Sequence, residues 1–237
     1  MTTKSPTLRV AAAQPVTKTD DLRANALAHA DAVRRCRAQL VVFPEMSLTG
    51  YSMEAQAVDV DDPALDPLVE ACAETGSIAL AGAAVPHLSG RAIGVLAVAG
   101  TGAQVVYRKV HLGGPEIGVY VPGTAVAVVE VSGWRVGIGI CKDTRIDDHT
   151  SATIASAIDL YAAGLVHIPH EVGEFDVRAR RICALGSVPV VFAGFAGPTD
   201  GGYTQTCGGS AIWDANGHCV IQAGDQPGEH VSAELSA

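Results

Sequence analysis

Three short apolar runs in this chain end on residues that carry chemistry. That shared form limits the folds open to the chain more than any other feature. Val136-Gly137-Ile138-Gly139-Ile140 runs into Cys141, Lys142 and Asp143; Leu40-Val41-Val42-Phe43 ends at Pro44-Glu45; Val105-Val106-Tyr107 ends at Arg108-Lys109. Runs this short, apolar on every residue, read as strands buried on both faces. In an open α/β sheet such strand ends meet in one crevice. A thiol, a carboxylate and an ammonium gathered there would supply a nucleophile, a base and an anion stabiliser. The bland alternatives are a small buried cysteine, a solvated loop carboxylate and a surface lysine.

The rest of the chain alternates strand and helix patterns. Leu8 to Gln14 is extended and apolar, and Asp20 or Asp21 can cap a following helix in which Leu22, Ala26, Ala30, Val33 and Cys36 form one stripe. A second helix is predicted from Pro63 to Thr75, stopped by Gly76. Strands follow over Ile78 to Val85, Ala92 to Val98 and Val105 to Tyr107, the last two joined at Gly100-Thr101-Gly102. The segment His111 to Gly123 holds too much Gly and Pro for regular structure. Val126 to Val131 and Arg135 to Ile140 flank a Ser132-Gly133 turn; Ser151 to Ala163 reads as an Ala-rich helix, capped by Thr150 or Ser151, with a strand over Leu165 to Ile168. Glu174 to Leu185 is an Arg-rich helix and Val188 to Phe195 a strand. After a Gly-rich loop from Gly197 to Gly209, a hairpin turns at Asn216-Gly217, and Val231 to Leu235 is an edge strand. Strands mixed with helices and hairpins predict a layered α/β sandwich with mixed sheets.

The 237 residues suit one large α/β domain, and 48% hydrophobic residues fit a sizeable core. One domain over 1–237 is expected, with 1–7 a flexible polar tail. A net charge of -9 argues against nucleic-acid backbones and anionic membranes as partners. No apolar leader pattern follows the first residues, and every apolar run is broken well short of a membrane span, so a cytoplasmic protein is expected. The six cysteines lack Cys-x-x-Cys spacing, which fits reduced thiols rather than a zinc framework.

Other site patterns fail on inspection. His167-Ile168-Pro169-His170-Glu171 invites a metal, but Pro169 opposes the helix that would place both imidazoles on one face. Gly137-x-Gly139 lacks the third glycine of a dinucleotide fingerprint, and no Gly-x-Ser-x-Gly elbow occurs. No metal and no cofactor are expected.

In four segments the chain resembles the nitrilase, or carbon–nitrogen hydrolase, superfamily. They are Val41-Val42-Phe43-Pro44-Glu45 with Thr49-Gly50-Tyr51; Tyr107-Arg108-Lys109-Val110-His111-Leu112 followed by Glu116 and Pro122-Gly123; Val136 to Arg145; and Gly208-Gly209-Ser210-Ala211-Ile212 with Asn216-Gly217. Val10 to Gln14 and the helix around Arg178 to Arg181 are similar as well, so the resemblance spans nearly the whole chain. It implies a four-layer α-β-β-α sandwich with two mixed β-sheets. It implies Glu45 as general base, Lys109 as stabiliser of the tetrahedral intermediate, Cys141 as nucleophile, Glu116 as a second glutamate beside them, and the Lys142 backbone N–H in the oxyanion hole. Members attack amides, nitriles or carbamoyl groups through a cysteine thioester and usually form homodimers or larger homo-oligomers.

The expected activity is therefore hydrolysis of a small linear amide, with release of ammonia or an amine. Nitrile or N-carbamoyl hydrolysis is the alternative within enzymes, and a catalytically silent binding or scaffold relative the alternative outside them. Lys142, Asp143 and Arg145 are expected around the oxyanion, and Tyr51, Tyr120, His167, His170 and Glu171 around a small-molecule substrate. The chain departs from the family where Ile146-Asp147-Asp148 replaces the usual Phe-Pro-Glu, and Ile182-Cys183-Ala184 stands near the usual Glu-Asn. Lys142 also sets a second cation next to the thiol.

Overall fold

The computed structural model describes residues 5–236. In chain order its elements are β1 (Thr7–Ala13), α1 (Leu22–Cys36), β2 (Leu40–Val42), α2 (Asp66–Thr75), β3 (Ile78–His87), β4 (Gly90–Ala99), β5 (Gly102–Arg108), β6 (Ala127–Val131), β7 (Trp134–Ile140), α3 (Asp147–Ala155), β8 (Leu160–Leu165), α4 (Gly173–Gly186), β9 (Val190–Gly194), β10 (Ala211–Trp213), β11 (Cys219–Gln222) and β12 (His230–Ser236).

Two six-stranded sheets run in the orders β12-β1-β2-β3-β4-β5 and β11-β10-β9-β8-β7-β6. In each, three strands are parallel, joined through helices, and the flanking strands pair antiparallel. Parallel neighbours need a long crossover, which α1, α2, α3 and α4 provide. The layers follow from strand alternation. Val10, Ala12, Leu40 and Val42 face the second sheet, where Val136, Ile138, Ile140 and Leu160 meet them. The alternate residues Ala11, Ala13, Val41 and Phe43 face α1 and α2. Tyr161, Ala163 and Leu165 face Phe175, Ala179 and Ile182 of α4. The result is the α-β-β-α sandwich with mixed sheets that the sequence implied.

Three expectations need correction. The helix predicted over Ser151 to Ala163 begins at Asp147, with Asp147 and Asp148 in its first turn, and ends at Ala155. Leu160 to Ala163 belongs to β8, parallel between β7 and β9, so the strand predicted over Leu165 to Ile168 lies mostly beyond the real one. A strand buried on both faces loses the alternation that marks it in sequence. The helix stop was hidden as well, because a non-glycine, Ala157, takes the left-handed conformation at φ 54°. Third, the tail expected over 1–7 lies outside the described residues only for 1–4. Ser5 donates to Ser132 O at 3.0 Å, and Thr7 pairs with Ser236 in β12.

His29 of α1 ties the first outer layer to the segment following β2. Its Nδ1–H donates to Asn25 O at 2.7 Å, since a carbonyl only accepts, so Nε2 accepts from Ser47 Oγ at 2.8 Å. Burial holds its pKa down at about 4, against an ordinary 6.5. The unfolded chain therefore binds a proton here as pH falls through about 6.5, while the folded chain resists until about 4. The stability present above the upper value is lost across that window, by about 3 kcal/mol at 1.36 kcal/mol per unit. Denaturant unfolding of the wild type and of His29→Gln between pH 7 and pH 4 checks this. The variant is expected to lose less stability on acidification by about that amount; equal losses would contradict it.

Candidate active site

Cys141, Lys109 and Glu45 meet where the two sheets stack, not along the edge of one. Glu45 follows β2 and Lys109 follows β5, which lie in the first sheet with β3 and β4 between them; Cys141 follows β7 in the second. Two glycines let the Glu45 segment pass between the layers. A Cβ on Gly164 of β8 would stand 2.6 Å from Phe43 O, and one on Gly82 of β3 would stand 2.9 Å from Glu45 C. Larger residues at either place would push Glu45 out of the gap.

Lys109 is the centre of the cluster. Its Nζ donates to Glu45 Oε1 at 2.6 Å and to Glu116 Oε1 at 2.7 Å, with all three side chains buried. Tyr51 OH donates to the same Glu116 oxygen at 2.7 Å, and Gly113 N–H to Glu116 Oε2 at 2.7 Å. Glu116 is thus fully engaged, whereas Glu45 Oε2 is buried with no hydrogen-bond partner among the described residues. Two carboxylates share one ammonium, so the group as a whole favours holding one more proton. Burial first, then the charges of Cys141 and Glu116, push the Glu45 carboxyl well above the ordinary range, against the pull of Lys109. Burial opposes the Lys109 charge, but Glu45, Cys141 and Glu116 outweigh it and hold the ammonium protonated.

Cys141 opens a short 3-10 turn, Cys141–Arg145, directly after β7, at φ 38°. That left-handed conformation is unusual for a residue with a side chain and costs of order 1–3 kcal/mol. Asp143 holds the turn in place. Its buried carboxylate accepts from Ile140 N–H at 3.1 Å, His111 N–H at 2.9 Å and Tyr107 OH at 2.8 Å. The end of β5 and the start of the Cys141 turn are thereby bound to one group, two residues from Lys109 on one side and two from Cys141 on the other.

The thiol faces a second cluster. Cys141 Sγ lies 3.6 Å from Val166 O and 3.6 Å from His167 Nε2; His167 Nδ1 is 3.0 Å from Glu171 Oε2, and Arg178 Nη1 is 3.0 Å from His167 Nε2. Burial, then the Arg178 charge, lower the His167 pKa, so the ring is neutral. The expected pocket residues thus divide. Tyr51, His167 and Glu171 stand in the site. Tyr120 braces its rim: its OH donates to Ser52 O, and the Arg91 guanidinium lies 5.2 Å over its ring. His170 is exposed and touches the cluster only through its influence on Glu171, while Arg145 is exposed, its carbonyl accepting from Arg181. Lys142 turns away from the thiol, and its Nζ donates to Leu112 O at 2.7 Å. Among the described residues, no group of three or more His, Cys, Asp or Glu side chains is placed to hold a metal ion. No helix there is long and apolar enough to cross a membrane.

Tyr203 was missed in the sequence. It is half-buried, packs edge-on against Tyr51 at 5.1 Å between ring centroids, and has its pKa raised to about 12 by burial and by Cys141, Glu45, Glu171 and Glu116. An aromatic residue inside the Gly-rich loop was the available signal.

The carbon–nitrogen hydrolase family model matches residues 9–237. The chain belongs to the carbon–nitrogen hydrolase family. It is 32% identical to a hydrolase of Mycobacterium tuberculosis over 80% of this chain and 75% of that protein. It is 27% identical to an (R)-stereoselective amidase of a Pseudomonas species over 81% of this chain and 71% of that one. Among solved structures, a carbon–nitrogen hydrolase superfamily protein of Xanthomonas campestris with an arsenic adduct in its active site superposes with a TM-score of 0.87 at 22% identity, covering 98% of this chain and 91% of that one. A variant amidase of Nesterenkonia sp. AN1, carrying the acetamide moiety of fluoroacetamide on its active-site cysteine, gives a TM-score of 0.83 at 23% identity, covering 97% and 90%. These similarities place the fold of this carbon–nitrogen hydrolase among the nitrilase-type sandwiches.

Proposed function

We propose that this carbon–nitrogen hydrolase cleaves a small linear amide through a thioester on Cys141. The observation that carries this reading is the buried Lys109 ammonium, held by Glu45 and Glu116 beside a cysteine fixed at a strand end. Glu45 Oε2 is the unengaged acceptor of the group. It takes the thiol proton as Sγ adds to the amide carbonyl carbon. Charge develops on the carbonyl oxygen, where Lys109 Nζ and the Lys142 backbone N–H stabilise it. Two of the three Nζ donors are committed to carboxylates, which leaves one for the oxyanion.

Collapse of the intermediate breaks the C–N bond as protonated Glu45 hands its proton to the leaving nitrogen, and ammonia or an amine departs. Glu45 then deprotonates a water that attacks the thioester; the carboxylic acid leaves and the thiol is restored. A raised carboxyl pKa suits Glu45 to both directions of transfer, and the burial and neighbouring charges that raise it are present before substrate binds. Glu116 keeps Lys109 aimed and charged. The amidases among the relatives favour an amide over a nitrile or a carbamoyl compound. Ammonia release measured across small aliphatic amides, nitriles and N-carbamoyl compounds tests the choice. Turnover of the amides alone is expected. Turnover confined to another class would reassign the substrate, and silence on all three would favour a binding or scaffold role.

A further inference from the structure

The thiol has two candidate proton acceptors, and one of them carries a cation on its lone pair. His167 Nδ1 faces the Glu171 carboxylate at 3.0 Å, so Nδ1 bears the hydrogen. Its Nε2 then has only a lone pair to offer, and Arg178 Nη1 donates to it at 3.0 Å. The same Nε2 lies 3.6 Å from Cys141 Sγ. A cysteine, an imidazole and a carboxylate in line are the parts of a thiolate–imidazolium pair. Here the arrangement cannot form one while Arg178 stays in place. A proton on Nε2 would point at the guanidinium.

We propose that Arg178 occupies the His167 lone pair, closes that acceptor to the Cys141 thiol, and so reserves the thiol proton for Glu45. This deepens the reading of Cys141 and Glu45 given above and rests on it. The groups facing His167 are Cys141 from the nucleophile turn, Arg178 from α4, Glu171 from the turn before α4, and Glu45 across the site, with the Phe175 ring edge-on at 5.3 Å. Glu171 and Glu45 favour a charged ring; Arg178 and burial oppose it. Arg178 is itself anchored: it is buried, its Nη2 lies 3.5 Å from Glu174, and its Nη1 also reaches Thr144 Oγ1 at 3.4 Å. Arg178 here is a positioning residue that acts through His167, and it decides which base receives the proton.

The proton bookkeeping differs between the two states. With Arg178 present, the Nε2 lone pair is taken, Sγ–H points to Val166 O, and its proton moves to Glu45 when substrate is attacked. Without it, the proton moves from Sγ to Nε2, leaving a thiolate beside an imidazolium whose Nδ1–H still faces Glu171. Removing the Arg178 charge is expected to raise the His167 pKa and free Nε2 to take a proton, although burial still opposes the charged ring.

The test is the pH dependence of Cys141 alkylation by iodoacetamide in wild type, Arg178→Gln, Arg178→Lys and the His167→Gln/Arg178→Gln double variant, located by peptide mass spectrometry. At about pH 6, Arg178→Gln is expected to alkylate roughly tenfold faster than wild type. Arg178→Lys is expected to behave as wild type, and the double variant to lose the gain. A profile for Arg178→Gln that overlays the wild type would overturn the proposal, as would a gain that survives in the double variant. Ring-nitrogen NMR of the wild type needs no variant to fold: protonation at Nδ1 of His167 is expected, and protonation at Nε2 would overturn the proposal. Neither readout depends on amide turnover, so failure here and failure of the amidase reading remain distinguishable.

Discussion

Cys141→Ala should lower amide hydrolysis by roughly 10⁴-fold or more while leaving the fold intact. Glu45 and Glu116 are held by Lys109, and of the other thiols Cys207 is near, its backbone N–H donating to His167 O at 2.9 Å, but its thiol is buried. Cys36, Cys72, Cys183 and Cys207 are buried, with burial pushing each thiol above its ordinary range, and Cys219 is exposed on β11. Cys141 is only partly buried, so trimming it to alanine should change stability by no more than about 1 kcal/mol. Relief of the positive φ does not follow, because alanine meets the same steric cost there. Steady-state ammonia release together with a denaturant melt separates the two effects. A residual rate above about a hundredth of wild type would contradict covalent catalysis through this sulfur.

Lys109→Met should be the most damaging single change to activity and stability together. It removes the cation from between two carboxylates that are almost wholly inaccessible to water. Breaking a buried ion pair by deleting one partner costs about 3–5 kcal/mol, because the charge left behind has lost its compensation. Here two charges are left. The fold can relieve them by taking up a proton, so the Glu45 carboxyl, already raised by burial, moves further up. A raised folded pKa favours the folded state on the acid side and loses that advantage as pH rises. The penalty of Lys109→Met relative to wild type should therefore be smallest at about pH 4–5 and grow toward pH 7. Unfolding midpoints at both pH values check the sign. A penalty independent of pH would mean that Glu45 and Glu116 are not what the lysine compensates. Turnover should fall below detection, since the oxyanion donor is lost with the charge.

The strand ends were the most legible part of the site. Glu45, Lys109 and Cys141 each follow a run whose apolar character needs no partner to be read. Their meeting was not legible in the form first expected. Neighbouring ends of one sheet would have sufficed, whereas the structure brings them together across two stacked sheets, through gaps at Gly82 and Gly164 that only the packing reveals. Glu116, in a Gly/Pro loop, became visible only through the family resemblance. The misplaced third helix shows where periodicity stops informing. Leu160 to Leu165 is buried on both faces, and the helix before it ends without a glycine. Lys142 adjoins Cys141 in sequence, yet its side chain goes to the Leu112 carbonyl. Tyr203 and Arg178 reach the thiol region from elements far along the chain; an aromatic residue in a Gly-rich loop marked the first, and no local pattern announces the contact of the second.

The thioester is the central claim, and trapping it is the most direct measurement. The enzyme would be incubated with a turned-over amide, quenched in acid during steady state, and examined by intact-mass and peptide mass spectrometry. An acyl group of the substrate's mass on Cys141 alone, absent from Cys141→Ala, is the expected result. Sustained ammonia release with no acyl adduct on Cys141, or with the adduct on another residue, would contradict it.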